Sequence, residues 1–261
     1  MSSDTPLLAM EQQGPVVLLT LNRAHKRNAI NDALLDALAG FFSSPMPDGA
    51  RVVVLQGSGG HYCAGLDLAE RLARPNRGPF ERLRHSRRWH RVFEKIQFGE
   101  LPVISVLQGG VIGGGLELAA ATHVRVAERS TFFQLPEGQH GIFVGGGGSV
   151  RIPRIVGTGR MVEMMLTGRR LDADEGLAVG LAHQVVEPGE GLGRALALAA
   201  QVARNAFLSN YAIVNAIARI NDMSAADGLF TESLVASLMA SNAEGDERIA
   251  GFFAARQDKS R

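Results

Sequence analysis

The hydrophobic pattern changes period along this chain. "GPVVLLTLN" (14–22) is a nearly continuous aliphatic, β-branched run, the pattern of a buried strand. "NDALLDALAGFF" (31–42) instead sets Leu34, Leu35, Leu38, Phe41 and Phe42 on one helical face, with Asn31 or Asp32 as the N-cap. Apolar runs return at "RVVVLQG" (51–57) and "PVISVLQ" (102–108). The second leads through "GGVIGGG" into a helical "LELAAA" that should begin near Leu116. Short strands are expected at 124–127, 131–134 and 181–186. Over 78–97, Trp89, Val92, Phe93 and Ile96 recur at helical spacing, with Arg84, Arg88, Arg91 and Lys95 on another face. From about residue 190 the pattern reads as four successive helices. The expectation is an α/β core over 1–190 followed by a helical region over 191–261.

Composition narrows the class. With 261 residues, 46% hydrophobic and 20% charged, the chain is long enough for a substantial core and too apolar to be largely disordered. It shows neither an 18-residue apolar run nor a basic start followed by an apolar stretch, so no membrane span or signal peptide is expected. One cysteine, Cys63, excludes an internal disulfide and makes the cytoplasm the expected compartment. Net charge is +1, yet residues 71–95 carry nine basic and two acidic side chains, a +7 segment in a −6 background. Such a segment suits an anion, a solvated helix face or an acidic neighbour across an oligomer. Nucleic acid is disfavoured, since the chain is nearly neutral and carries no RNA-reading motif.

The glycine clusters match neither a phosphate loop nor a dinucleotide fingerprint, and no G-x-S-x-G elbow occurs. No His/Cys spacing suits zinc, so neither a metal nor a redox cofactor is expected. A strand, then Gly113-Gly114-Gly115, then a helix leaves backbone N–H groups open to a ligand. Those groups suit an anion or a developing oxyanion, with Glu117 in the first helical turn beside them. Tight strand–helix packing explains the same glycines, with Glu117 as an ordinary first-turn acid.

Four motifs together carry a resemblance. "LNRAHKRNAI" (21–30), "HYCAGLDL" (61–68), "GGVIGGGLELAAATHVRVAE" (109–128) and "FFQLPEGQHGIFVGGGGSVRIPRIVG" (132–157) resemble the enoyl-CoA hydratase/isomerase (crotonase) superfamily, in its order and spacing. "LTGRRLDADEGLAVGLAHQVV" (166–186) resembles its following segment. The resemblance implies a superhelix of ββα turns with a C-terminal helical region for trimerisation, often as a dimer of trimers. It implies an acyl-CoA substrate whose thioester enolate is held by two backbone N–H groups, here mapped to Cys63 and Gly114. It also implies CoA contacts from Lys26, Arg27, Ala29, Ala64, Gly65, Leu66, Asp67, Gly113 and Phe252. CoA would arrive as part of the substrate.

In hydratases of this family two glutamates act together. Here they are Glu117 and Glu137, the first implied to activate water and the second to protonate Cα, while Gly145 helps to hold the water. Isomerase-type members usually keep only the second. The resemblance therefore implies an enoyl-CoA hydratase, with isomerisation or hydration followed by retro-aldol cleavage as alternatives. Both glutamates disfavour a non-catalytic binding module. Departures are His123 for the usual Asp, Val144 for Pro, and Ala255 with Arg256 where a phosphate-binding lysine is usual. His123 and His140 read more readily as structural than as catalytic residues. Phe80, Trp89, Phe93, Phe133 and Phe143 are candidates for either acyl-pocket wall or core. The basic segment, following "CAGLDL", falls where the family borders its acyl pocket and suits steering of CoA phosphates or contact with a neighbouring subunit.

Overall fold

The continuous apolar runs become strands covered on both faces. A computed structural model describes residues 6–74, 78–241 and 243–258, with the side chains of 243 and 255–258 outside the description. β1 (Leu8–Gln13) and β2 (Val16–Leu21) form an antiparallel pair, then α1 (Asp32–Ser43) and β3 (Val52–Gly57) follow. α2 (Leu68–Ala73) and α3 (Gly78–Gln97) precede β4 (Val103–Leu107), β5 (Gly110–Ile112) and α4 (Gly114–Ala120). Next come β6 (Val124–Glu128), β7 (Phe132–Gln134), α5 (Gly148–Val156), α6 (Thr158–Thr167), β8 (Leu171–Asp172), α7 (Ala173–Ala178) and β9 (Gln184–Val186). Four helices end the described chain: α8 (Gly191–Ala203), α9 (Phe207–Ile220), α10 (Ala225–Ala240) and α11 (Ala243–Asp258).

The larger sheet runs β1-β2-β3-β4-β6-β9, parallel from β2 onward, and a smaller one runs β5-β7-β8. Alternation within β2 shows why the run has no polar face. Val17, Leu19 and Leu21 join the main core with α1, α3 and α4, while Val16 and Leu18 meet Ala195 and Ala199 of α8 on the other side. Asn31 is the α1 cap, its side chain accepting from the Leu34 N–H at 2.9 Å. On α3, Trp89, Val92, Phe93 and Ile96 are buried as their spacing predicts. Phe41 is only half-buried.

Within the glycine run "GGVIGGG", Gly110–Ile112 pairs with β7 in the smaller sheet. Two expectations change. α4 begins at Gly114 rather than near Leu116. The last strand is shorter than 181–186, spanning Gln184–Val186. The pattern also gave no sign of β1, α2, β8 or the helices α5 to α7.

One buried joint positions the segment beneath the site. Arg23 pairs with Asp67 at 3.0 Å, both side chains being 9% exposed, and also donates to the Ala29 carbonyl. Asp67 caps α2 by accepting from the Glu70 N–H. Asn28, at φ +55°, accepts from the Arg23 N–H and donates to the Ser58 and His61 carbonyls. Burial pushes the Asp67 carboxyl up, but the Glu70 N–H and Arg23 outweigh it and hold it below the usual range. The pair therefore stabilises the fold above the ordinary carboxylate range and loses that contribution as pH falls through the lowered value. Asp67→Ala leaves Arg23 buried without its counter-ion and should cost about 3 kcal/mol in equilibrium denaturation near pH 7. A cost below about 0.5 kcal/mol, the range of an ordinary surface substitution, would contradict that account.

Candidate active site

Glu117 and Glu137 approach one cleft of about 1360 Å³ from different elements. Glu117 stands in the first turn of α4 and is 3% exposed. Its Oε1 accepts from the Gly146 and Gly148 N–H groups at 2.8 and 2.7 Å, at the N-terminal end of α5. Burial raises the Glu117 carboxyl above its ordinary range, opposed by N–H groups of Gly148, Gly146 and Gly145 and by the Arg151 charge. All of these opposing contacts favour the ionised form. Arg151 is itself fixed by Gln97, at 2.6 Å, and by the Gly146 carbonyl, at 3.0 Å.

Glu137 opens a one-turn helix, Glu137–His140, directly after Pro136. It is 5% exposed, and its Oε2 is buried with no hydrogen-bond partner among the described residues. Burial is the main cause that pushes its pKa up to about 7, and Glu117 adds like-charge repulsion. Burial thus raises both carboxyl groups, Glu117 against three N–H donors and a cation, Glu137 with a like charge added.

Gly113 makes the close approach of Glu137 feasible. Its φ of +51° suits a residue without Cβ, and a Cβ there would lie 2.9 Å from Glu137 Oε1. Gly114 follows as the first residue of α4, so its N–H has no intrahelical acceptor. A Cβ on Gly114 would come within 2.9 Å of the Trp89 ring and 3.4 Å of the Leu66 nitrogen. Leu66 and Gly114 both line the cleft.

The placement of Cys63 corrects one expectation. Its N–H donates to the Gly110 carbonyl at 3.2 Å, as part of a bridge to β5, and the residue is fully buried away from the cleft lining. It therefore does not offer a free N–H beside Gly114. Leu66 does: its neighbours' groups serve the bridge to Ile30, and its own N–H has no partner among the described residues. Burial also pushes the Cys63 thiol up to about 12, so it is not a nucleophile at neutral pH.

The other expected residues divide. Gly145 lines the cleft, its carbonyl accepting from Ser86 Oγ at 2.7 Å. Lys26 and Arg27 are exposed on the turn whose Arg27 carbonyl accepts from the Ala64 N–H. Ala29 and Gly65 are buried, and the Gly65 carbonyl accepts from the Ile30 N–H. Asp67 is engaged in the structural joint. Phe252 lies on α11, outside the cleft lining, beside Phe253. The side chains of Ala255 and Arg256 lie outside the described residues. His123 is structural: Nδ1 accepts from the Val103 N–H and Nε2 donates to the Gln97 carbonyl, both at 2.9 Å. His140 is exposed and does not line the cleft. Of the aromatic candidates, Phe80, Trp89 and Phe143 line it, while Phe93 and Phe133 are core. Leu66 was expected as a CoA contact rather than as a partner of the Gly114 N–H, and Gly146, Gly148 and Arg151 were missed. The run at 145–148 followed by "SVRIPRIV" was their only signal, a turn feeding a helix N-terminus.

A two-donor backbone cradle beside two buried carboxyl groups is a site for acid–base chemistry next to a polarised carbonyl. The comparisons agree with that class. The chain belongs to the enoyl-CoA hydratase/isomerase family, whose model matches residues 11–258. It is 31% identical over 250 residues to the 2,3-dehydroadipyl-CoA hydratase of Escherichia coli, covering 95% of this chain and 96% of that protein. With the enoyl-CoA isomerase/hydratase MYCGRDRAFT_76805 of Zymoseptoria tritici it shares 35% identity over 185 residues, 68% of this chain and 58% of that one. A solved structure of a candidate enoyl-CoA hydratase from Rhodopseudomonas palustris superposes with a TM-score of 0.92 at 48% identity, covering 97% and 96% of the two chains. The architecture is the crotonase fold.

If Cys63 is inert, the native protein should resist alkylation at neutral pH and react only on unfolding, as mass spectrometry of the intact chain would show. Rapid labelling of the folded protein would contradict the burial.

Proposed function

We propose that the protein is an enoyl-CoA hydratase, adding water across the double bond of a trans-2-enoyl-CoA to give a 3-hydroxyacyl-CoA. The observation that supports this reading best is the pairing of two buried carboxyl groups in one cleft, one held by N–H donors and the other with an oxygen left unbonded among the described residues. The thioester oxygen is received by the Leu66 and Gly114 N–H groups, which stabilise the charge that develops on it. Glu117, whose ionised form the N–H groups at the α5 N-terminus favour against burial, orients a water and deprotonates it for attack on Cβ. Glu137, whose pKa burial pushes up to about 7, delivers the proton to Cα from its protonated form. One bond forms at each carbon, and the two carboxyl groups exchange proton states. An isomerase needs only one proton shuttle, which leaves the N–H set around Glu117 without a use.

The substrate class, acyl-CoA, follows the family, with CoA entering as part of the substrate rather than as a resident cofactor. Association into trimers, or pairs of trimers, is supported by the terminal helices. α10 exposes Leu229, Phe230, Leu234 and Leu238, and α11 exposes Ile249, Phe252 and Phe253. Apolar side chains on several faces of a helix call for burial against another chain. We place the enzyme in the cytoplasm. No helix among the described residues is long and apolar enough to cross a membrane.

Four measurements check these statements. A panel of aliphatic and aromatic enoyl-CoA esters should lose conjugated absorbance and yield 3-hydroxyacyl products, and failure with every ester would remove the hydratase reading. Glu117→Gln and Glu137→Gln should each lower kcat by about 100-fold or more. Because Glu137 acts in its protonated form, kcat/KM should fall as pH rises through about 7. A profile flat from pH 6 to 9 would contradict its role as the acid. Light scattering should give a trimer mass or twice that, and a monomer at micromolar concentration would refute the assembly.

A further inference from the structure

Arg151 carries a charge that its contacts leave unneutralised. It projects from the first turn of α5 and is half-buried. Among the described residues no carboxylate stands within ion-pair distance of it. Its guanidinium donates instead to neutral oxygens, from Nε to Gln97 Oε1 at 2.6 Å and from Nη1 to the Gly146 carbonyl at 3.0 Å. A carboxylate in place of the Gln97 amide would hold the guanidinium more strongly, and it would also cancel most of its field.

The contact with Gly146 acts at the centre of the Glu117 cradle. Glu117 Oε1 accepts from the Gly146 and Gly148 N–H groups, which belong to the peptide units on either side of the one carrying the Gly146 carbonyl. Holding that carbonyl oxygen fixes the middle unit of three, and with it the direction of the donors before and after it. Gly147, at φ +94°, leaves room for the guanidinium, and a Cβ there would collide with it. Charge adds to geometry: Arg151 joins the N–H groups of Gly148, Gly146 and Gly145 in favouring an ionised Glu117 against burial.

Gln97 is the last residue of α3, and its backbone and side chain are both engaged. Its backbone carbonyl, left open at the helix end, accepts from His123 Nε2 at 2.9 Å, while His123 Nδ1 accepts from the Val103 N–H at the start of β4. Burial lowers the His123 pKa, so the ring stays neutral in the one tautomer that makes both bonds. His123 thus fixes the end of α3, Gln97 extends from it, and Arg151 is held against the Gly146–Gly148 turn.

We propose that Arg151 is a positioning residue for Glu117, held by Gln97 and His123 as a cation without a counter-ion, so that its bond to Gly146 and its charge both act on that carboxyl group. The charged groups facing Glu117 are Glu137 and Arg151, and Arg151 in turn feels Glu94 of α3 and Arg154 of α5. The inference rests on the hydratase reading only for the use to which an ionised Glu117 is put.

The test reads the proton on Glu117 in the resting protein, before any turnover. Carbon-13 NMR of protein labelled at glutamate Cδ follows the titration, with the Glu117 signal assigned by its loss in Glu117→Gln. Glu137→Gln is the background throughout, so that a single member of the pair titrates. Arg151→Gln should move the Glu117 titration upward by about one pH unit, and Arg151→Lys, which keeps the charge, by less. Gln97→Met removes the tether without adding a charge and should move it in the same direction by part of that amount. Thermal melting shows which variants are folded, and if Arg151→Gln is not, Gln97→Met carries the decision. An unshifted titration in folded Arg151→Gln overturns the proposal. So does a Gln97→Met titration equal to the wild type, since a merely structural brace would change the melting temperature alone. Activity is a separate arm. With Glu137 in place, kcat/KM for an enoyl-CoA should begin its fall on the acid side at a higher pH in Gln97→Met. Absence of hydration with every ester would remove the hydratase reading and leave the titration result standing.

Discussion

Two buried carboxyl groups in one cleft resist carrying charge together, and the site is organised around that constraint. Glu117 and Glu137 are both almost fully buried, yet their surroundings differ in kind. Glu117 meets backbone N–H groups at a helix N-terminus, with Arg151 nearby. Glu137 has a desolvated oxygen and the Glu117 charge for a neighbour. That difference favours a proton on Glu137 beside an ionised Glu117, the division that the proposed hydration requires.

The backbone arrangement that permits this depends on close approach. β5 and the start of α4 come up against residues 63–66, and the Arg23–Asp67 pair anchors that segment from below. Glycine at 113 and 114 lets Glu137, Trp89 and Leu66 converge on the same few ångströms of main chain. Stability and site geometry are therefore linked here: a joint that holds α2 and the 22–30 turn also anchors the segment that carries the Leu66 N–H.

Much of this was legible in the sequence, and the parts that were not have physical reasons. Continuous apolar runs gave β2, β3 and β4 because both faces of those strands are covered, and Trp89 to Ile96 announced their own burial. Glu117 and Glu137 could be found through the family resemblance, because each is fixed to the start of a helical turn at a set place in its motif. The N–H partner of Gly114 could not. Along an extended segment successive N–H groups point in different directions, so counting back from Asp67 picks Cys63, whereas the bridge to β5 uses that N–H and leaves Leu66. α5 was missed because Gly148, the internal Pro153 and a half-exposed face blur a helical period. Net charge marked 71–95 as basic but could not show that Arg74 and Arg88 are spoken for by acids far away in sequence, on α1, alongside the local Glu70.

The proton asymmetry itself can be read directly. Infrared difference spectra of the enzyme just below neutral pH should show the carbonyl stretch of a protonated carboxyl group that is absent in Glu137→Gln and retained in Glu117→Gln. Loss of that band in Glu117→Gln and its persistence in Glu137→Gln would reverse the roles and contradict the account.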